Sequence, residues 1–336
     1  MEKASFLYTL LFLSTSIINA QNLEGVVLDG ATNVPLEGAS VYYDGTTIGT
    51  ITNAEGYFDI EKRTDIAAPL IISYVGYFQR VFDDISDWKK RNILLKPNNI
   101  KLGEVVLTAD PWTRAKKLRY FRSAFLGRTL AAADCSITNE DDIKLRYDPT
   151  TKKLTAYAEK PLVVKNSHLG YTVQFNLLSF EAIFEKPPSG FFFMKQSYYS
   201  GTSFFKELNS KTKRKTRTNR KTNYLGSTMH FFRAMATKQL LENDFKIFKG
   251  SYQIDPYAAI ELQKEGEFTR VTLSEKRLNV LYDQIEQSSL HKVQESFYID
   301  TLGNFTPTNA IMFGGEFGLQ GVANMLPLDY KHDRGK

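Results

Sequence analysis

Residues 24–60 read EGVVLDGATNVPLEGASVYYDGTTIGTITNAEGYFDI, and short apolar runs there alternate with turn residues at close intervals. Extended outward, the pattern covers Leu23 to Leu28, Ala39 to Tyr43, Thr47 to Thr52, Tyr57 to Ile60, Leu70 to Val75, Gln79 to Phe82 and Asn92 to Leu95. Asp29-Gly30, Asn33 to Pro35, Asp44-Gly45, Ala54 to Gly56 and Gly76 separate the runs. Seven short strands at this spacing predict a β-sandwich, and no 3.6-residue period competes with it. Pro35 fixes a loop before a strand. Gly38, Gly49 and Gly56 suit bends that need positive φ. Phe58 and Ile60 alternate onto one face, the expected core.

These words, with LIISYVGYF at 70–78 and LGEVVLTAD at 102–110, resemble the carboxypeptidase regulatory-like domain of exported proteins from Bacteroidetes-type bacteria. The resemblance implies a transthyretin-like sandwich over residues 21–97 and a linker over 98–110. It rests on Gly25-Val26-Val27, the Thr32 to Gly38 turn, Gly49 to Thr52, Gly56-Tyr57-Phe58 and Ser73 to Tyr77. Asn53 stands where that family usually has Asp, a change that keeps the turn because both side chains accept the same bonds. LGEVVLTAD also resembles the junction that follows this domain in large outer-membrane nutrient receptors. The remaining chain is too short for such a receptor's 22-stranded barrel and plug.

Residues 1–20, MEKASFLYTLLFLSTSIINA, have a basic start at Lys3, an apolar stretch from Phe6 to Phe12 and small Ala20 before Gln21. That is the pattern of a secretory signal peptide. Ser14, Thr15, Ser16 and Asn19 interrupt it, so it is short of the ~20 apolar residues of a membrane span. Export is therefore expected, with a periplasmic, outer-membrane-associated or secreted destination.

Residues 111–330 read as a β-rich α+β region of unknown role, which makes the whole chain mainly β. Asp110-Pro111 is expected to open a helix carrying Leu118, Phe121 and Phe125 on one face among Arg114, Lys116, Lys117 and Arg119, with Gly127 ending it. Alternating runs from Ile143 to Phe205 predict a second sheet with meander-like hairpins. Ser227 is expected to cap a helix with Met229, Phe232, Ala236 and Leu240 on one side. Further strands are expected at Phe245 to Ile254, Phe268 to Leu273, Leu278 to Tyr282 and Val293 to Ile299. A closing helix would carry Leu319, Val322 and Leu326. The words YLGSTMHFFRAM, DTLGNFTP and GVANMLPLDY resemble the C-terminal half of Bacteroidetes proteins that join this module to a region without a defined activity.

No sequence feature supports catalysis. The chain lacks G-x-S-x-G and G-x-x-x-x-G-K-[ST]. His168, His230, His291 and His332 are not followed by Glu at the spacing of a metallocarboxypeptidase zinc site, and the single cysteine, Cys135, excludes an intramolecular disulfide. No catalytic residue, cofactor or metal is expected. The primary reading is a non-catalytic interaction or adaptor protein of the cell envelope with a protein partner, docked by strand pairing at a sandwich edge. The alternative is a glycan-binding module at the outer membrane, with Tyr42, Tyr43, Tyr57, Tyr74 and Tyr77 as candidate stacking rings. The basic run KTKRKTRTNRK at 211–221 supplies candidate anion contacts for lipid or lipopolysaccharide phosphate, namely Lys213, Arg214, Lys215, Arg217 and Arg220. Its bland reading is a solvated loop or first helical turn. Nucleic acid is not an expected partner, because no nucleic-acid motif accompanies the charges.

Overall fold

The computed structural model describes residues 22–98, 110–188 and 190–332. The expected signal peptide and nearly all of the 98–110 linker, including Leu102 to Ala109, lie outside them.

The N-terminal module has the seven expected strands: β1 (Asn22–Asp29), β2 (Ser40–Tyr43), β3 (Gly49–Ile51), β4 (Tyr57–Glu61), β5 (Leu70–Ser73), β6 (Arg80–Phe82) and β7 (Arg91–Leu95). They form two sheets, β4-β1-β7 and β3-β2-β5-β6. β1 pairs antiparallel with β4 and parallel with β7. Phe58 and Ile60 face the core at 1% and 5% exposure, as period-2 alternation requires. Gly25 is needed for packing, because a Cβ there would stand 2.7 Å from the Phe58 ring and 2.8 Å from Ile93. Gly56 combines a φ of +70° with close approach to the Val27 carbonyl. Asn53 Oδ1 accepts from the amides of Glu55 and Tyr57, so the turn that Asn was expected to preserve is in place.

The first C-terminal unit opens with α1 (Arg114–Phe125) and α2 (Leu130–Ala133). The cap of α1 is Thr113, whose hydroxyl accepts from Lys116 N, and Asp110 is not in the helix. Asp110 instead accepts from the amides of Trp112 and Tyr147 and pairs with Lys117 at 2.6 Å, which anchors the entry to α1 one turn early. Phe121 and Phe125 are fully buried, and Gly127 leaves the helix at φ +95°, as expected. β8 (Cys135–Ile137), β9 (Ile143–Asp148), β10 (Lys153–Ala158), β11 (Leu162–Asn166), β12 (Tyr171–Glu185) and β13 (Phe193–Glu207) follow. One side of β12 pairs with β11 and β10 in succession, the other with β13.

The basic run folds as a full helix, α3 (Arg214–Tyr224), rather than a loop or single turn. α4 (Thr228–Ala236) is capped by Ser227 as expected, but it stops before Leu240. Then come β14 (Phe245–Lys249), β15 (Tyr252–Ile254), α5 (Pro256–Ala259), β16 (Ile260–Glu265), β17 (Phe268–Leu273), β18 (Arg277–Tyr282), β19 (Glu286–Lys292), β20 (Ser296–Ile299), β21 (Phe305–Thr306), β22 (Ile311–Gly315) and α6 (Glu316–Leu319). They form two sheets, β15-β14-β18-β19-β22 and β16-β17-β20-β21. Residues 110–332 thus fold around two apolar cores. One core lies between α1 and the β8–β13 sheet, and the other joins α4 to the last two sheets. The expected closing helix is split into α6 and a 3-10 turn at Val322–Asn324. The split comes where the chain crosses Gly127, whose backbone bridges to Gln320. No helix among the described residues is long and apolar enough to cross a membrane.

Candidate functional site

β2 explains how the module is held. Its sequence, SVYY, is buried on both faces. Val41 and Tyr43 enter the sandwich core, whereas Tyr42 and Ile71 turn outward onto Phe204 of β13. The Tyr42 and Phe204 rings stack at 5.1 Å. A polar chain runs beside them. Asn176 Nδ2 donates to Tyr42 Oη at 2.7 Å, the Tyr42 hydroxyl meets Thr202 Oγ1 at 3.1 Å, and Thr202 donates to Gln79 at 3.2 Å. Burial pushes the Tyr42 phenol up to about 12.

The loop after β2 continues the junction through main-chain bonds. Gly45 N donates to Ser203 O, and Phe205 N donates to Thr46 O. Asp44 Oδ1 accepts from Ser203 N at 2.7 Å. The end of the chain clamps the same loop. Leu328 N donates to Gly45 O, and Thr47 N donates to Asp329. Arg233 holds this final segment through the carbonyls of Leu302, Leu328 and Tyr330.

Asp44 has a consequence for pH. Burial raises its pKa from 3.8 to about 6, against the hydrogen bonds from Ser203 and Gly45 that lower it. The native state therefore binds the proton more tightly than the unfolded chain. This group's contribution is most favourable at low pH and is lost as pH rises through about 6. Asp44→Asn keeps the acceptor and removes the charge. The variant is expected to match the wild type near pH 4 and to exceed it by up to about 3 kcal/mol at pH 8. Urea unfolding midpoints of both proteins across that range check this, and parallel pH curves would refute it.

Beside this junction lies a cleft of about 1160 Å³. β13 from Met194 to Gly201 lines one side of it, and Thr306 through β22 to Gln320 lines another. Asp44 and Gly45 of the module and Ser123 to Arg128 at the end of α1 also reach it, apart from Leu126 and Phe125. The Tyr198 hydroxyl and Thr308 Oγ1 meet at 3.1 Å between β13 and the segment leading into β22. All three units contribute to this cleft. Nothing in the local sequence flagged it, since its residues come from separate segments spread between Asp44 and Leu328.

The sequence-derived candidates are not brought together. Tyr42 and Tyr43 are 2% and 0% exposed, which corrects their assignment to a stacking surface. Neighbouring strand residues face opposite sides, and here both sides are covered. Tyr57 is half-buried under Lys90 Nζ at 4.8 Å. Tyr74 and Tyr77 pair with ring centroids 5.5 Å apart, and the Tyr77 hydroxyl donates to Asp29, holding that carboxyl below its usual range. Lys213, Arg214, Lys215 and Arg217 are exposed along α3. Arg220 is not an anion contact. It is 7% exposed, paired with Glu207 through two bonds of 2.9 and 2.7 Å, bonded to Leu169 O, and stacked 3.8 Å from the Tyr171 ring centroid. The basic residues of α1 are likewise engaged, Arg114 with the carbonyls of Glu140 and Ile143, and Lys116 over the Trp112 ring.

The histidines are dispersed. His168 meets Asp134, His230 meets Asn243, His291 meets Ser289, and the His332 ring lies 5.0 Å from Tyr224. Among the described residues no group of three or more His, Cys, Asp or Glu is placed to hold a metal ion. Burial pushes the Cys135 thiol up to about 12, far from a reactive thiolate.

Residues 23–107 match the family described as CarboxypepD_reg-like domain. The N-terminal sandwich is thus a regulatory-like domain and not a catalytic peptidase domain. A stretch of 116 residues is 33% identical to the TonB-dependent receptor SusC of Bacteroides thetaiotaomicron, covering 32% of this chain and 11% of the receptor. Among solved structures, a type II cohesin–X-dockerin complex of Acetivibrio cellulolyticus is 18% identical, with TM-score 0.21, over 33% of this chain and 79% of that one. A protein of Bacteroides uniformis described as a putative carbohydrate binding protein is 8% identical with TM-score 0.18, over 83% of this chain and 98% of that one. At those scores neither likeness carries an argument.

Proposed function

We propose that this chain is an exported, non-catalytic binding protein of the cell envelope, and that its partner is held in the cleft between β13 and β22. The observation that carries this reading is the assembly of the cleft from all three units, with the CarboxypepD_reg-like sandwich locked against β13 beside it. The sandwich then acts as a buttress, because the outer face of its β3-β2-β5-β6 sheet is already covered at Tyr42 and Ile71. The envelope location rests on the signal-like residues 1–20 and on the partial match to a TonB-dependent receptor. A large cleft lined mainly by apolar surface with a few convergent polar groups is the default location for a ligand.

The test uses the immobilised full-length protein and detergent-solubilised native envelope, with protein and glycan read in parallel. Met312 lines the cleft and is 40% exposed, whereas Ile51 sits on the open edge strand β3 at 60%. A stoichiometric protein partner is expected on the wild type and on Ile51→Glu, and is expected to be lost on Met312→Trp. Loss on Ile51→Glu alone would move the docking site to the sandwich edge. Recovery of polysaccharide without protein would replace the protein partner with a glycan.

A further inference from the structure

We infer that the cleft takes an extended, basic segment of a partner polypeptide by strand addition to the free edge of β13, an inference that rests on the cleft being the binding site. β13 is paired with β12 along its whole length on one side. On the other side its pairing is confined to the C-terminal end, where Thr46 forms a parallel bridge with Phe204. Ser203 O and the Phe205 amide point outward there, toward Gly45 and Thr46. Main-chain direction alternates along a strand, so the same groups of Gly201, Tyr199 and Ser197 point outward too. Among the described residues no strand pairs with that edge between Phe193 and Gly201. The module's loop therefore begins a strand on this edge and leaves the rest of it open, facing the cleft.

Exposed edges are normally protected by charge, proline or a bulge. The stretch 196–201, QSYYSG, has neither a charge nor a proline; its register with β12 shifts at each end, at Lys195 on β13 itself and at Leu178 of β12 opposite Ser200 and Gly201, so the only extra residue in β13 lies before the stretch. A second open edge borders the same cleft. β22 is the terminal strand of its sheet, paired with β19 alone, and its residues 311–315 line the cleft. Two open edges on one cleft suit a ligand with its own main-chain donors and acceptors, which is the strand-addition mode of peptide recognition.

Charge sets the kind of peptide. The cleft is lined by the carboxylates of Asp44, Asp83, Glu181, Asp300 and Glu316 against the bases Arg128 and Lys195. Lys195 is already paired with Glu185 and Glu181 with Lys153, both partners outside the lining, and the buried Asp300 carboxylate is engaged by Leu302 and Asn304, so Asp44, Asp83 and Glu316 against Arg128 set the sign of the cleft. This acidic lining belongs to a chain of net charge +6, so it is a local feature and not a reflection of the whole surface. Lysine or arginine side chains are attracted to it, and phosphate-bearing ligands are repelled.

The test measures fluorescence anisotropy of the full-length protein with a labelled pool of heptapeptides carrying lysine at alternate positions. Two matched pools serve as comparisons, one N-methylated at alternating amides and one with glutamate in place of lysine. The lysine pool is expected to bind at least tenfold more tightly than either. Ser197→Pro, which deletes an outward N–H, is expected to weaken binding at least tenfold, and Glu316→Lys to weaken the lysine pool selectively. Should Ser197→Pro misfold, the N-methylated comparison on the wild type decides. Equal binding of the N-methylated pool would overturn strand addition. Failure of every peptide pool, with partner capture still abolished by Met312→Trp, would overturn this inference and leave the cleft as the site. Failure of both peptide binding and cleft-dependent capture would remove the two readings together.

Discussion

Arg220→Ala is expected to destabilise the β8–β13 unit by about 3 kcal/mol, the range found when one partner of a buried ion pair is removed. The side chain supplies two bonds to Glu207 and one to Leu169 O, and covers the Tyr171 ring. Its loss leaves a buried carbonyl without this donor and a void beside Gly170. The outward face of Glu207, at 41% exposure, recovers some hydration and keeps the effect from being larger. Arg220→Lys is expected to restore less than half, since an ammonium cannot match the two-pronged contact or the ring stacking. Alanine at exposed Lys213, Arg214, Lys215 or Arg217 is expected to change stability by less than about 0.5 kcal/mol. Urea unfolding midpoints measure all six variants. Equal losses across the series would contradict the distinction drawn between Arg220 and its neighbours.

Tyr42→Ala is expected to cost about 4 kcal/mol, the scale for emptying a buried aromatic site. More specifically, it should split the unfolding of the molecule. The ring stack with Phe204 and the chain Asn176–Tyr42–Thr202–Gln79 join the sandwich to the C-terminal body. Without them the module should unfold at lower denaturant than the rest. Tyr42→Phe should retain the stack and lose about 1 kcal/mol through the hydrogen bonds of its hydroxyl, while Asn176 keeps its 3.3 Å bond to Thr202. Tryptophan fluorescence can follow the two parts separately, because Trp88 lies in the module and Trp112 in the body. A single unperturbed transition in Tyr42→Ala would show that the junction is not held at this point. The Tyr42→Ala, Phe204→Ala pair should also fall short of additivity, as contacting residues do.

These two residues mark where the sequence reading stopped being sufficient. All seven module strands were legible within a few residues, because alternation and turn residues act between near neighbours. The same locality made Ser227 readable as a cap and Gly127 as a helix end. Tyr42 and Tyr43 were legible as strand residues, and their adjacency required one to leave the core. What covers the outward one is β13, 160 positions downstream. Arg220 was submerged in a run of like charges. One signal could have marked it: on a helix, Arg220 and Tyr224 share a face at i and i+4.

By itself the sequence determined the mainly β class, the sandwich at the N-terminus and the positions of most helices and strands. These follow from side-chain period, turn chemistry and capping, all of which are decided within a few residues. The tertiary structure alone decided that residues 110–332 enclose two cores, that the sandwich is locked through Tyr42 and Asp44, and that a cleft with two open edges lies between β13 and β22. Each of those depends on surfaces meeting from distant parts of the chain, and burial is a property of both surfaces, so neither segment could announce it alone.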